Sequence, residues 1–216
     1  MHYSTQSILV FFSFLPVLVP LIVGIVRFKK LQQPLNYLAI LVMADFLTEI
    51  VERIYWISST PNLFLWPIYI SIEFGLIAWI YRYALKPMFI SRAMLWLIGL
   101  FICFIFITWF KWGSSNFNPI QRFIESALII YFALTFFYKT LKNLVAIHLE
   151  RQPMFWLSTG LFIYFAGDII IFIFSNYLLS YSKQFNLNVW ILHAILNIVL
   201  YIFYTLALCL TPTKQI

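Results

Sequence analysis

Asp45, Glu49, Glu52, Glu73, Glu125 and Asp168 are six of the chain's seven acidic residues, and each lies within a run of apolar sequence. Only Glu150 falls clearly between such runs. A charge at the centre of a bilayer costs roughly 2.5–3.5 kcal/mol on insertion scales, so each of these groups needs a partner or water. A bundle held by apolar packing alone needs none of them, and their number is the main pointer to function.

Spacing sharpens the pointer. Asp45, Glu49 and Glu52 stand at i, i+4 and i+7, on one face of a helix. Arg53 follows Glu49 by four residues, the favourable order for an ion pair. Glu52 and Arg53 fall at the outer headgroup level, where solvation or pairing accounts for them. Glu73 lies seven residues past Trp66, roughly 10 Å deeper along a helix, with Tyr69 one turn before it. His193 stands three residues past Trp190, and Asn197 follows it by one turn. Glu125 lies one turn beyond Arg122, and Asp168 follows Gly167, where helices can approach closely. These groups come from five helices and fall between the midplane and the outer third. The sequence therefore predicts a polar cavity open to the outer side, lined by Asp45, Glu49, Tyr69, Glu73, Glu125, Asp168, His193 and Asn197. Plainer roles stand beside this one. Glu125 could serve only to pair with Arg122, and the other groups could be interhelical polar contacts.

Several specific chemistries can be weighed, and a metal held by His193 and carboxylates stays open. A retinal Schiff base needs a lysine in the middle of the last span, and Val189–Cys209 has none. A His-rich zinc hydrolase needs more than His2, His148 and His193, of which only His193 is inside a span. Imidazole and carboxylate suit several divalent ions, but no ligand spacing specifies a metal. There is no G-x-S-x-G, no H-E-x-x-H and no phosphate-cradling glycine loop. Cys103 and Cys209 sit in apolar runs and make neither a zinc ribbon nor a disulfide framework. Nothing calls for a cofactor.

The elements that position these groups follow from composition. The 216 residues are 63% hydrophobic and 10% charged, against about 25% charged in soluble domains. Apolar runs of membrane-spanning length recur throughout. The expected fold is all-α: a single seven-helix transmembrane domain over 1–216, with spans about 7–26, 35–56, 63–84, 90–110, 120–140, 154–178 and 188–210. Pro16 and Pro20 lie inside the first span as tolerated kinks, and Pro67 in the first turns of the third. Pro34, Pro61, Pro119 and Pro153 mark span starts. The first span lacks a basic leader and a cleavage site, which predicts a retained helix.

Charge sets the expected orientation. Arg27, Lys29, Lys30, Arg82, Lys86, Arg92, Lys139, Lys142, Arg151 and Lys214 fall on one side, and Arg53, Lys111, Arg122 and Lys183 on the other. This bias predicts an inner-membrane protein with its N-terminus outside and its C-terminus in the cytoplasm. The net charge of +7 is then topological, and nucleic acid is not an expected partner. Trp56, Trp66, Trp109, Trp112 and Trp190 fall near the outer ends, where indole rings prefer to sit.

Spans 3 and 7 also align. Asn62, Leu63 and Trp66 match the spacing of Asn186, Leu187 and Trp190, which sets Tyr69 against His193 and Glu73 against Asn197. Spans 2 and 6 align through Asp45 and Asp168. The pattern suggests a parallel 3+1+3 repeat, as sugar transporters of the SWEET type use.

Three stretches, IYISIEF around Glu73, PMFWLSTGLFIYFAGD from Pro153 and WILHAILNI from Trp190, resemble a group of uncharacterised bacterial seven-span proteins. Members of that group are often encoded beside sensor histidine kinases or resemble kinase input domains. The resemblance implies a sensory role and names neither a ligand nor a catalytic residue. The leading expectation is thus a receptor-like protein in the lipid bilayer, taking a small-molecule ligand or proton and passing a signal to a cytoplasmic or membrane partner. A small-solute or proton/cation-coupled transporter is the first alternative. An intramembrane lipid-modifying enzyme is the second, although no catalytic residue can be named.

Overall fold

A computed structural model describes residues 15–58, 60–112, 119–142, 148–178 and 183–210, and within these not the side chains of Trp112, residues 172–178 and 183–187, or Trp190. Among the described residues all regular structure is helical, with seven α-helices. They are α1 (Leu18–Arg27), α2 (Leu35–Ile57), α3 (Leu65–Ala84), α4 (Phe89–Trp112), α5 (Pro119–Lys142), α6 (Pro153–Leu178) and α7 (Lys183–Cys209). Short 3-10 turns cover Leu15–Val17, Phe28–Lys30 and Leu149–Arg151. The first half of the expected span 1, the loop near Ser115 and the tail with Lys214 lie outside the described residues.

Prolines set several boundaries. Pro119 and Pro153 open α5 and α6, where a missing N–H costs no helical bond. Pro16 and Pro20, expected inside a longer helix, flank the start of α1: Pro16 sits in the 3-10 turn and Pro20 in the first helical turn.

Among the described residues, four helices are long and apolar enough to cross a membrane: Phe89–Lys111, Pro119–Lys142, Pro153–Ile171 and Ile191–Cys209. The described length of α1 is 10 residues, and α2 carries four charged side chains, Asp45, Glu49, Glu52 and Arg53. Large apolar side chains face outward along the bundle, including Ile22, Val26, Leu47, Trp96, Leu100, Ile107, Phe110, Ile170 and Ile202. A water-soluble monomer rarely exposes so much contiguous apolar surface, whereas a bilayer requires it.

The helices form a ring. α1 packs on α2, α2 on α3, α3 on α5, α5 on α6, α6 on α7, and α7 returns to α1 and α2. α4 packs chiefly on α3. The core runs through Leu38, Leu41, Val42, Ile70, Phe74, Ile77, Tyr81, Ile129, Phe132, Leu161, Phe165, Tyr204 and Leu208, all at most 1% exposed. The α6–α7 contact is close because α6 presents Gly160 and Gly167 there. A Cβ on Gly160 would collide with Phe203, and one on Gly167 with Leu196. Seven residues apart, the two glycines lie on one helix face.

Cations fasten the end of the bundle away from Glu73. Lys139 Nζ donates to Ala84 O at 2.7 Å and to Lys86 O at 2.6 Å, at the C-terminus of α3. Arg27 donates to Cys209 O at the C-terminus of α7. Each satisfies carbonyls that a helix end leaves free and sits where the helix dipole is negative.

Candidate functional site

The first turns of α5 are an inside-out helix. Gln121, Arg122, Glu125 and Ser126 are buried, while Ile120 and Phe123 are exposed. The polar stripe at i, i+1, i+4 and i+5 therefore faces the core. Gln121 is held by Thr108 of α4, to whose Oγ1 its Nε2 donates at 2.6 Å. Pro119 places Arg122 within the first turn of α5, where the helix dipole adds positive potential that favours acidic neighbours.

Arg122 is the hub. Its side chain is 2% exposed and donates four hydrogen bonds to four residues. Nε donates to Asp168 Oδ2 of α6 at 2.8 Å. Nη1 donates to Glu73 Oε2 of α3 and to Glu125 Oε2 of α5, the latter at 2.8 Å. Nη2 donates to Tyr164 Oη of α6 at 2.9 Å. Aromatic rings close the remaining faces: the guanidinium carbon lies 4.9 Å from the centre of Phe165, 5.6 Å from Tyr164 and 5.9 Å from Trp66. Cation–π contact adds to the ion pairing at such distances. A rigid five-donor fork suits this task, which a lysine point charge cannot reproduce.

The network reaches α7 through Asp168. His193 Nδ1 lies 3.0 Å from Asp168 Oδ1, so the aspartate is engaged on both oxygens. His193 is 19% exposed and stacks obliquely on Tyr164 at 5.9 Å between ring centres. It is the boundary residue of a site whose other members are almost fully buried. Among the described residues Glu125 Oε1 is buried and has no hydrogen-bond partner.

The other expected residues divide. Tyr69 Oη donates to Asp45 Oδ1 at 3.4 Å, joining α3 to α2. Glu49 makes the expected pair with Arg53 at 3.0 Å, mostly buried, and lies within electrostatic reach of His193. Asn197 is half-buried on α7. Glu73, Glu125, Asp168 and His193 thus form one network, Asp45 and Tyr69 a second contact beside it, and Glu49 an ion pair. Among the described residues no group of three or more His, Cys, Asp or Glu is arranged to hold a metal ion.

Two members, Arg122 and Tyr164, are not among the site residues expected from sequence. The sequence places Arg122 among the outer charges and offers it to Glu125 alone, a pair that the structure contains at 2.8 Å; its bonds to Glu73, Asp168 and Tyr164 are not evident there. The signal for Arg122 was present in the polar stripe 121, 122, 125, 126, flanked by outward apolar residues. In a membrane the polar face of a helix turns inward, the reverse of its sense in water.

Comparison of the chain with protein-family models, with curated proteins and with solved structures finds no match in any of the three.

Proposed function

We propose that the chain is a seven-span, receptor-like protein of the inner membrane, with its N-terminus outside and its C-terminus in the cytoplasm, passing a signal to a partner. The observation that carries this reading is the placement of the Arg122 network. It ties α3, α5, α6 and, through His193, α7 in one half of the bundle. The other half is filled by Ile77, Ala78, Tyr81, Phe132, Leu161, Tyr204 and Leu208, all fully buried. A stimulus reaching the network can alter how four helices pack, while the apolar half disfavours passage of a solute. The resemblance to seven-span proteins encoded near sensor kinases points the same way.

The 3+1+3 repeat belongs to the same proposal. Moving α1, α2 and α3 onto α5, α6 and α7 maps each neighbour contact of the ring onto another, with the contact of α3 on α5 becoming that of α7 on α1. The same shift carries Tyr69 and Asp45, paired at 3.4 Å, onto His193 and Asp168, paired at 3.0 Å. This pairing is also what favours the alternative of a proton- or cation-coupled transporter, since parallel repeats occur in transporters.

Purified protein in liposomes separates the two. With an imposed membrane potential and a trapped pH dye, the receptor reading expects no proton flux above that of empty vesicles. Spin labels at Lys142 and Leu210 should report a changed distance distribution when His193→Gln loosens the outer network. Sustained flux, or a distribution that His193→Gln leaves unaltered, overturns the receptor reading.

A further inference from the structure

Three carboxylates touch the Arg122 guanidinium: Glu73, Glu125 and Asp168. The groups in contact with them supply at most two positive charges, one from Arg122 and one from His193 when its ring is protonated against Asp168. At least one carboxylate is left without a balancing charge. A second observation identifies it. Asp168 engages both oxygens, with Arg122 and His193. Glu73 bonds through Oε2 alone, but at 3% exposure its second oxygen is not among the fully buried unpartnered atoms. Glu125 is 0% exposed, engages only Oε2, and leaves Oε1 buried without a hydrogen-bond partner. An ionised oxygen in that position is stabilised neither by water nor by a donor.

We propose that Glu125 is a proton-binding site and that the proton sits on Oε1, so that the ligand of this site is the hydrogen ion itself. The proposal gives the stimulus for the receptor reading above and rests on that reading for its meaning, not for its chemistry. A metal cation is the poorer occupant. Oxygen-ligated cations gather six or more oxygens, and among the described residues Glu125 Oε1 is the one carboxylate oxygen that is fully buried and unpartnered. The groups facing Glu125 are Arg122 on its own helix, Glu73 from α3, and Asp168 and Tyr164 from α6, with His193 of α7 behind Asp168. Asp45 of α2, held by Tyr69, is the next acid out. Glu73 and Glu125 share one nitrogen, Nη1. Loss of the proton from Glu125 sets two like charges against each other there, and relief requires α3 and α5 to separate at this level.

Infrared spectroscopy of the full chain in liposomes tests the assignment. At neutral pH the spectrum should contain the C=O stretch of a protonated carboxylic acid shielded from water. That band should move when the chain is made with carboxyl-labelled 13C-glutamate, and it should be lost in Glu125→Gln. Glu125→Asp keeps an acid at the position and should give a band that no longer responds to the glutamate label, a readout that stands if the Gln variant does not fold. Absence of an acid band at neutral pH overturns the proposal, as does a band indifferent to glutamate label, which would place the proton on Asp45 or Asp168. A label-sensitive band that persists in Glu125→Gln or Glu125→Asp overturns it too, by placing the proton on another glutamate. Flux in the liposome assay would overturn the receptor reading and leave this band where it is.

Discussion

Asp168 joins His193 to Arg122: the histidine nitrogen lies 3.0 Å from one carboxylate oxygen and the guanidinium Nε lies 2.8 Å from the other. The aspartate thus ties α6 to both α5 and α7. Asp168→Asn leaves a buried arginine short of an anionic partner and should cost about 3–5 kcal/mol. His193→Gln removes one interhelical polar contact and should cost about 0.6–2 kcal/mol. Denaturant titration in detergent ranks them, and a His193→Gln cost equal to that of Asp168→Asn would contradict this order.

Arg122 should be the most sensitive side chain in the chain. Arg122→Gln strands three buried carboxylates and is expected to lose about 3–5 kcal/mol or fail to yield monodisperse protein. Arg122→Lys keeps the charge and loses the fork, so it should rescue only part of that loss. Comparing the melting temperatures of the two variants checks the claim, which full rescue by lysine would refute.

Glu73 and His193 never touch, yet Arg122 and Asp168 link them. A double-mutant cycle of Glu73→Gln and His193→Gln should therefore show an interaction energy of about 0.5–3 kcal/mol. Strict additivity of the two losses would mean that the network is not cooperative.

Gly167 precedes Asp168 and lets α6 approach Leu196 of α7. A Cβ at Gly167 would meet the terminal methyls of Leu196, which can turn aside, whereas Gly160→Ala sets a Cβ against Phe203 Cβ, forces α6 and α7 apart and should cost about 1–3 kcal/mol. Gly75 has open space where a Cβ would go, so Gly75→Ala is the internal control and should be neutral or stabilising. Equal thermal stability of the two alanine variants would show that the α6–α7 contact is not tight.

Orientation is tested by cysteine labelling in intact cells, on a background without Cys103 and Cys209. A cysteine at Ser115 should react with a membrane-impermeant reagent, and cysteines at Lys86 and Lys214 should not, given ten Lys and Arg on one side against Arg53, Lys111 and Lys183 on the other, Arg122 being buried in the core. Labelling at Lys86 from outside would invert the topology.

Much of the fold was legible because apolar length and proline position are local signals. The starts of α5 and α6 at Pro119 and Pro153 follow from a missing N–H. The pairing of Glu49 with Arg53 follows from helical spacing alone. The centre of the site was less legible because it depends on which face of each helix turns inward. Asp168 and Glu73 were found as isolated charges in apolar sequence. Spacing pairs Arg122 with Glu125 alone; its reach to Glu73 and Asp168 is not legible, because charge counting assigns a basic residue near a helix start to the membrane surface. A guanidinium serving three acids on three helices is a property of the ring's closure, which no single segment encodes.

Lys139 gives the network a mechanical frame. It grips the C-terminal carbonyls of α3 at one end of α5, while Arg122 grips Glu73 near the other. The two grips stand 17 residues apart on α5, a lever arm of about 25 Å. Helices fastened at one end and released at the other cannot slide along each other; they can only swing. Lys139 is then the fulcrum, and slackening the Arg122 end turns a change at one side chain into a tilt of α3 against α5. A displacement of about 2 Å at the top of such an arm is a rotation of roughly 5°, small enough to leave the apolar half of the bundle interlocked while changing the angle at which the chain beyond Ala84 and Lys142 meets its surroundings.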